Sequence, residues 1–335
     1  MHPALLGLIT ITVGVSGCIG YFYGSNLLLD KVLLPASGPN AGRNISRREL
    51  IRPWLFLFPA ILALGLYLAY PVVATLILSF QERGAGGVRT FVGFENYTQM
   101  FAEPKFAEAM RNNVLWLVVV PASATGFGLL AAQLTDRLRW GNIAKSIIFM
   151  PMAISFVGAA VIFKLIYEAR PEDVAQIGVL NHLYLLFGGA EPQQWLTIPF
   201  WNSFFLMAVL IWIQTGFAMV ILSAALRGIP EETIEAAIID GANPLQIFFK
   251  IKVPQIMGTI VVVWTTITIA TLKVFDIVFA MTNGQWETQV LANYMYDKLF
   301  RANDWGMGSA AAMIIMLLVT PILVWNVYNA RKEMR

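Results

Sequence analysis

Long apolar runs alternate with short polar ones along most of this chain. A helix needs about 20 mostly apolar residues to cross a bilayer. Seven stretches meet that requirement: 4–24, 54–80, 113–134, 145–167, 202–225, 257–281 and 308–328. The pattern predicts an all-α polytopic membrane protein with about seven transmembrane helices. The first run has no charged n-region and no clear small-residue cleavage site, and it continues into Tyr21-Phe22-Tyr23. It therefore reads as a retained anchor rather than a signal peptide. Residues 35–47 are polar and rich in turn formers, which predicts a flexible linker. The expected division is 1–53, an N-terminal transmembrane anchor with its cytoplasmic linker, and 54–335, a transmembrane core.

One polar stretch between two apolar runs, residues 230–254, reads as two short helices with a forced turn. Pro230 suits a first helical position, where its missing N–H costs nothing. Glu231 and Glu232 follow in the first turn, where the helix dipole favours negative charge. Gly241 is placed as a residue just past a helix end, able to take φ > 0. Asn243-Pro244 then reads as the cap and first residue of a second helix, and Pro254 limits it. A polar helix-turn-helix on a membrane protein is a place for another protein to dock.

Composition agrees with the membrane reading. Apolar residues make up 58% of the chain and charged residues 13%, against roughly 45–50% and 25% in soluble domains. A net charge of +3 is too small to suggest nucleic-acid binding. Cys18 is the single cysteine, so an intramolecular disulfide is excluded. Only His2 and His182 are present, which excludes a His-rich catalytic centre. The distribution of Lys and Arg sets orientation. With the N-terminus outside, the inner loops and C-terminal tail hold 14 of these residues and the outer loops 7. The inner set is Lys31, Arg43, Arg47, Arg48 and Arg52, then Arg137, Arg139 and Lys145, then Arg227, Lys250 and Lys252, then Arg331, Lys332 and Arg335. This topology puts the 230–254 loop and the C-terminus in the cytoplasm.

The wording of that loop resembles the EAA loop of permeases in ABC importers. The match is Glu235-Ala236-Ala237, Asp240-Gly241-Ala242, Ile251 and Val253-Pro254. The family usually has Leu where Val253 stands, and often a second proline at Gly258; neither departure touches the turn. Further segments resemble the sugar-importing, binding-protein-dependent type, on the maltose and glycerol-phosphate side. They are Phe58-Pro59-Ala60 with Tyr70-Pro71, the run Phe91–Tyr97 followed by Arg111-Asn112-Asn113 and Trp116, and Val274–Val278 with Met281–Gly284. The N-terminal run with Tyr21–Asn26 and Leu29-Asp30-Lys31 is similar to α-glucoside permease subunits. The resemblance implies a type I ABC importer permease fold with its coupling loop at about 226–256. It implies a permease subunit forming half of a sugar-translocation pore in the cell inner membrane, its substrate an α-glucoside or related glycoside. It also implies partners: a second permease subunit, an ABC ATPase dimer that binds ATP and Mg, an extracytoplasmic sugar-binding protein and membrane lipid, without nucleic acid. Contact with the ATPase is expected at Glu235, Ala236, Ala237, Asp240, Gly241 and Phe248.

No Gly-x-x-x-x-Gly-Lys-Ser/Thr loop occurs, so no phosphate cradle for ATP is present in this chain. Neither His-Glu-x-x-His nor Gly-x-Ser-x-Gly occurs, so the chain is not expected to be an enzyme or to hold a cofactor. A secondary transporter would also be polytopic, but it usually shows repeated span pairs and matched broken helices, and it has no use for the two-helix loop. A non-transporting membrane scaffold would explain the spans and leave that loop without a role.

A sugar path needs hydrogen-bonding groups and aromatic faces inside the spans. The candidates are Trp116, Trp212, Gln214, Thr268, Lys273 and Asp276, with Asn113 and further Ser and Thr positions behind them. Such hydroxyls often bond back to the i−4 carbonyl instead. Trp54, Trp201 and Trp325 read as interface anchors. Ionisable groups within spans cost about 2.5–3.5 kcal/mol on insertion scales. Lys164 is expected to snorkel. Lys273 and Asp276, three residues apart, are expected to share a helix face, either as a structural pair or as a polar patch on the cavity. Residues 168–200, with Glu168, Glu172, Asp173, Glu191 and Trp195, read as a lid, a docking surface or a solvated loop.

Overall fold

The computed structural model describes residues 3–38, 40–84, 87–136, 138–171 and 173–333. His2, Arg137, Glu172 and Arg335, used above, lie outside them.

The described residues are mostly helical. Among the described residues five helices are long and apolar enough to cross a membrane: Ala4–Leu33, Ala41–Ser79, Pro104–Thr135, Trp201–Arg227 and Trp305–Trp325. Two bent pairs bring the number to seven when each is one span. Gly141–Ala153 with Phe156–Ile166 bends by 105°, and Pro244–Gln255 with Met257–Leu272 by 72°. A two-stranded antiparallel hairpin, β1 (Gln81–Arg83) and β2 (Arg89–Phe91), pairs Glu82 with Thr90.

The chain forms two compact units, Met1–Ala74 and Thr75–Arg335. In the first, α1 (Pro3–Leu27) runs on to Leu33 with π-helical geometry, and α2 spans Ala41–Leu64. Asp30 ties the two together, pairing with Arg48 at 3.0 Å and accepting from Arg52 at 2.7 Å. Tyr21 donates to the Leu55 carbonyl at 2.8 Å, and Phe22 stacks on Phe56. The expected linker is therefore shorter than 35–47. The helix starts at Ala41, because the Asp30 pairs anchor its first turns against local Gly and Pro preference. The helix then continues through a π-helical stretch, Gly65–Ala69, into α3 (Tyr70–Ser79).

The second unit is built on α5 (Pro104–Thr135) packed along α9 (Trp201–Arg227). Between lipid-solvated helices there is no water-to-oil gain, so association rests on close contact and small side chains. Gly128 supplies it, because a Cβ there would overlap Ala218 and the Met219 backbone. Val120 and Ala124 of α5, Leu206, Leu210 and Leu222 of α9, and Val263 and Ile267 of α13 (Met257–Leu272) share this core. A second cluster joins Met100 of α4 (Glu95–Ala102), Phe106 of α5, Leu291 and Tyr294 of α15 (Leu291–Tyr296), and Ala310 of α16 (Trp305–Glu333). There Tyr294 donates to Glu103 at 2.7 Å and Lys298 pairs with the same carboxylate. Burial and the Glu103 carboxylate push the Tyr294 phenol well above its ordinary value.

Residues 168–171 and 173–200 fold rather than hang free. Asn181 on α8 (Val179–Leu186) donates to the carbonyls of Glu168 and Gln193, and Trp195 packs on Phe205 of α9.

Candidate functional site

The 230–254 loop forms the expected turn. Pro230 is the cap rather than the first helical residue. Its ψ of 134° is extended, and α10 starts at Glu231 and ends at Ile239. Gly241 takes φ +81°, a conformation costly for any residue with a Cβ. Ala242 N–H donates to the Ala237 carbonyl and Gly241 N–H to that of Ile238, the paired bonds of a Schellman stop. Asn243 then opens α11 (Pro244–Gln246) with a reciprocal capping box to Gln246, which satisfies two N–H groups at once. The chain continues through Ile247–Lys252 and α12 (Val253–Gln255) into α13.

What this turn presents differs in part from expectation. Glu235, Ala236, Asp240 and Gly241 are exposed, while Ala237 and Phe248 are buried. Phe248 is buried and its neighbour Phe249 exposed, and the two rings meet edge to face at 4.9 Å. The exposed apolar set is Ile238, Ile239, Leu245 and Phe249, with Ile239 85% exposed. Sequence reasoning passed over these four. Their signal was apolar side chains flanking a Gly and an Asn-Pro in an otherwise polar loop.

The loop is rooted on the last turn of α5. Before it, Ser223 donates to Asp136 at 3.0 Å and Arg227 lies 3.7 Å from the same carboxylate. Lys145 of α6 (Gly141–Phe149) pairs with Asp136 and donates to Ser223. After it, Lys252 donates to Gln133 at 3.3 Å.

Deeper in the unit, two helix breaks face one space. The first lies between α6 and α7 (Phe156–Ile166), where Met150–Ala153 forms a 3-10 turn with Pro151 and Ser155 caps α7 through Gly158 N–H. The second follows α13. A cavity of about 430 Å³ is lined by Met152, Ile154, Ser155, Phe156, Val157, Ile213, Gln214 and Asp276. An adjoining one of about 190 Å³ shares Phe156 and Asp276 and adds Lys273. The side chains of Gln214 and Asp276 make no hydrogen bond or ion pair to another described residue, which leaves their donors and acceptors open toward the cavity.

Lys273 and Asp276 do not share a helix face. α13 stops at Leu272, Lys273 is its cap, Phe275 has φ −135° and ψ −58°, and Asp276 opens α14 (Asp276–Met281). The cause is tertiary: Asn113, nearly fully buried, donates to the Leu272 carbonyl and accepts from Leu291 N–H. No ion pair joins Lys273 to Asp276 among the described residues, so the structural-pair reading fails and the two groups meet only as walls of one cavity. Trp116 is 1% exposed inside the α5–α9 core and does not line either of these two cavities. Trp212 is exposed and packs on Phe163. Thr268 bonds back to the Trp264 carbonyl. Lys164 sits in the last turn of α7, where the helix dipole favours a cation.

The family model for the binding-protein-dependent transport system inner membrane component matches residues 124–334. The chain belongs to that family. It is a multi-pass membrane permease, not an enzyme. A family member, the alpha-glucoside transport system permease protein AglF of Rhizobium meliloti, is 60% identical over 337 residues, covering 99% of both chains. The osmoprotective compounds uptake permease protein GgtC of Synechocystis is 47% identical over 84% of this chain and all of its own. The lactose transport system permease protein LacF of Rhizobium radiobacter is 31% identical over 87% of this chain and 97% of its own. The fold is that of a bacterial ABC transporter involved in import of the acidic polysaccharide alginate. That match has a TM-score of 0.72 at 21% identity over 88% of this chain and 99% of the other. The family's permease architecture thus agrees with the apolar spans.

Proposed function

We propose that this family member is one permease subunit of an ATP-driven sugar importer, that it forms half of the pore, and that its substrate is an α-glucoside or related glycoside. An ATPase dimer carrying ATP and Mg docks on the 230–254 loop. A second permease completes the pore, and an extracytoplasmic sugar-binding protein delivers the substrate. The N-terminus lies outside and the C-terminus in the cytoplasm.

The observation that carries this reading is the loop geometry. The Schellman stop at Gly241 and the capping box at Asn243 hold two short helices at a set angle. They offer acids (Glu235, Asp240) beside apolar side chains (Ile239, Phe249). Acid set against exposed apolar surface is what a protein interface uses, with charge for selection and apolar anchors for affinity. The cavity supports the sugar reading. Gln214 and Asp276 offer hydrogen bonds to hydroxyls, and Ile213 and Phe156 offer apolar faces to C–H surfaces. The names of the two most similar relatives cited above support the glycoside class.

The test is the reconstituted complex with its ATPase and binding protein, assayed for uptake and ATP hydrolysis with trehalose, sucrose, maltose, glucosylglycerol and lactose. Hydrolysis and uptake that rise together with one or more α-glucosides are expected. Uptake that needs no ATP and follows an ion gradient overturns the reading.

A further inference from the structure

The first helical hairpin carries more cations than its own acids use. Residues 30–52 hold Lys31, Arg43, Arg47, Arg48 and Arg52 against Asp30 and Glu49. Arg48 and Arg52 are spent on Asp30. Arg43 and Arg47 have no ion-pair partner among the described residues, and both are exposed.

Because the helix begins at Ala41, helical geometry applies to both. At 3.6 residues per turn, positions 43, 47, 50 and 54 fall within an arc of about 60°. Positions 48 and 52 lie roughly 130–170° away round the helix. One face is thus closed on Asp30, and the opposite face reads guanidinium, guanidinium, leucine, tryptophan. Leu50 and Trp54 are exposed, and Leu57 and Ile61 continue the same apolar stripe. Trp54 lies about 10 Å along the axis from Arg47, at the start of the apolar run, where tryptophan favours the membrane interface.

We propose that the Arg43–Arg47–Leu50–Trp54 face of α2 binds an anionic phospholipid. The two guanidiniums hold the phosphate, because their planar forks match its oxygens two at a time. The acyl chain lies along Leu50, Trp54, Leu57 and Ile61. Charge complementarity selects the occupant. Two unpaired cations favour a lipid with net negative charge over a zwitterionic one, whose own cation offsets its phosphate. A free phosphate would leave the apolar part of the stripe unused.

The full-length chain is reconstituted in bilayers of equal phosphatidylglycerol and phosphatidylcholine and extracted in mild detergent. Retained phospholipids are then counted by mass spectrometry. The unaltered chain is expected to enrich phosphatidylglycerol about 25-fold, roughly fivefold for each arginine. Arg43→Gln with Arg47→Gln is expected to fall to near parity, while Arg139→Gln, which removes an exposed cation elsewhere, leaves the enrichment unchanged. Equal enrichment with and without the two arginines overturns the proposal. So does a double variant that keeps its lipid and loses its ATPase on copurification, which would assign the face to a protein. Lipid retention is read without ATP or sugar, so it stands or falls independently of the import reading.

Discussion

Asn113 donates to the Leu272 carbonyl at 3.2 Å, at the point where α13 stops. The same side chain accepts from Leu291 N–H at 2.8 Å. One buried amide on α5 thus closes one helix and starts another, and it sets the break that points Asp276 into the cavity. Asn113→Leu is expected to leave both backbone groups unpaired, each costing about 1–3 kcal/mol. Thermal unfolding of the full-length chain in detergent checks this. An unchanged midpoint would show that the backbone repairs itself by closing the break.

Gly241→Val is expected to uncouple ATP hydrolysis from uptake. The space around Gly241 is open, with no atom within 4 Å of an added Cβ, so the penalty comes from φ +81° alone. That conformation costs a non-glycine residue about 1–3 kcal/mol, more for a β-branched one. Gly241→Ala should therefore lie between the two. The measurement is sugar transported per ATP in the reconstituted complex, and a wild-type ratio for Val sinks the argument.

Glu235→Lys is expected to weaken ATPase retention more than Glu235→Gln. The first adds repulsion, while the second only removes a charge. Ile239→Ser should also weaken it, because its apolar side chain is among the most exposed in the loop. Affinity purification through this chain, with the ATPase quantified, reads all three. Equal retention throughout would mean the subunits meet elsewhere.

Lys273→Gln and Asp276→Asn are expected to act independently on stability, with a coupling below about 0.5 kcal/mol, since no ion pair joins them. Asp276→Asn is expected to raise the KM for sugar about tenfold, the loss of one charge-assisted hydrogen bond of roughly 1.5 kcal/mol. A double-variant cycle on unfolding, with uptake kinetics beside it, settles both points. A large coupling would restore the pair that the helix break removes.

The spans and the turn at Gly241 were legible because their causes are local. Twenty apolar residues, a glycine after α10 and Asn-Pro before α11 act through chain geometry over a few positions. The end of α13 was not legible: no proline or glycine marks Thr271–Asp276, and the carbonyl there is taken by Asn113, some 160 residues away in the chain. Trp116 could not be placed because an aromatic residue in a span reads the same whether its ring meets a cavity or the helix beside it. The start of α2 was hidden for a related reason. Gly and Pro before it announce a loop, but the Asp30 pairs with Arg48 and Arg52 depend on a helix folded back upon it.

Both ends of the 230–254 loop are buckled to one post. Ser223 and Arg227 on its entering side hold Asp136, and Lys252 on its leaving side holds Gln133, one helical turn along α5. A flap hung from one edge can swing without moving its frame; a stirrup strapped at both edges cannot. A push on Ile239 or Phe249 is therefore also a pull on the end of α5, a rod of 32 residues. The same rod carries Asn113 near its far end, where it grips Leu272 and Leu291.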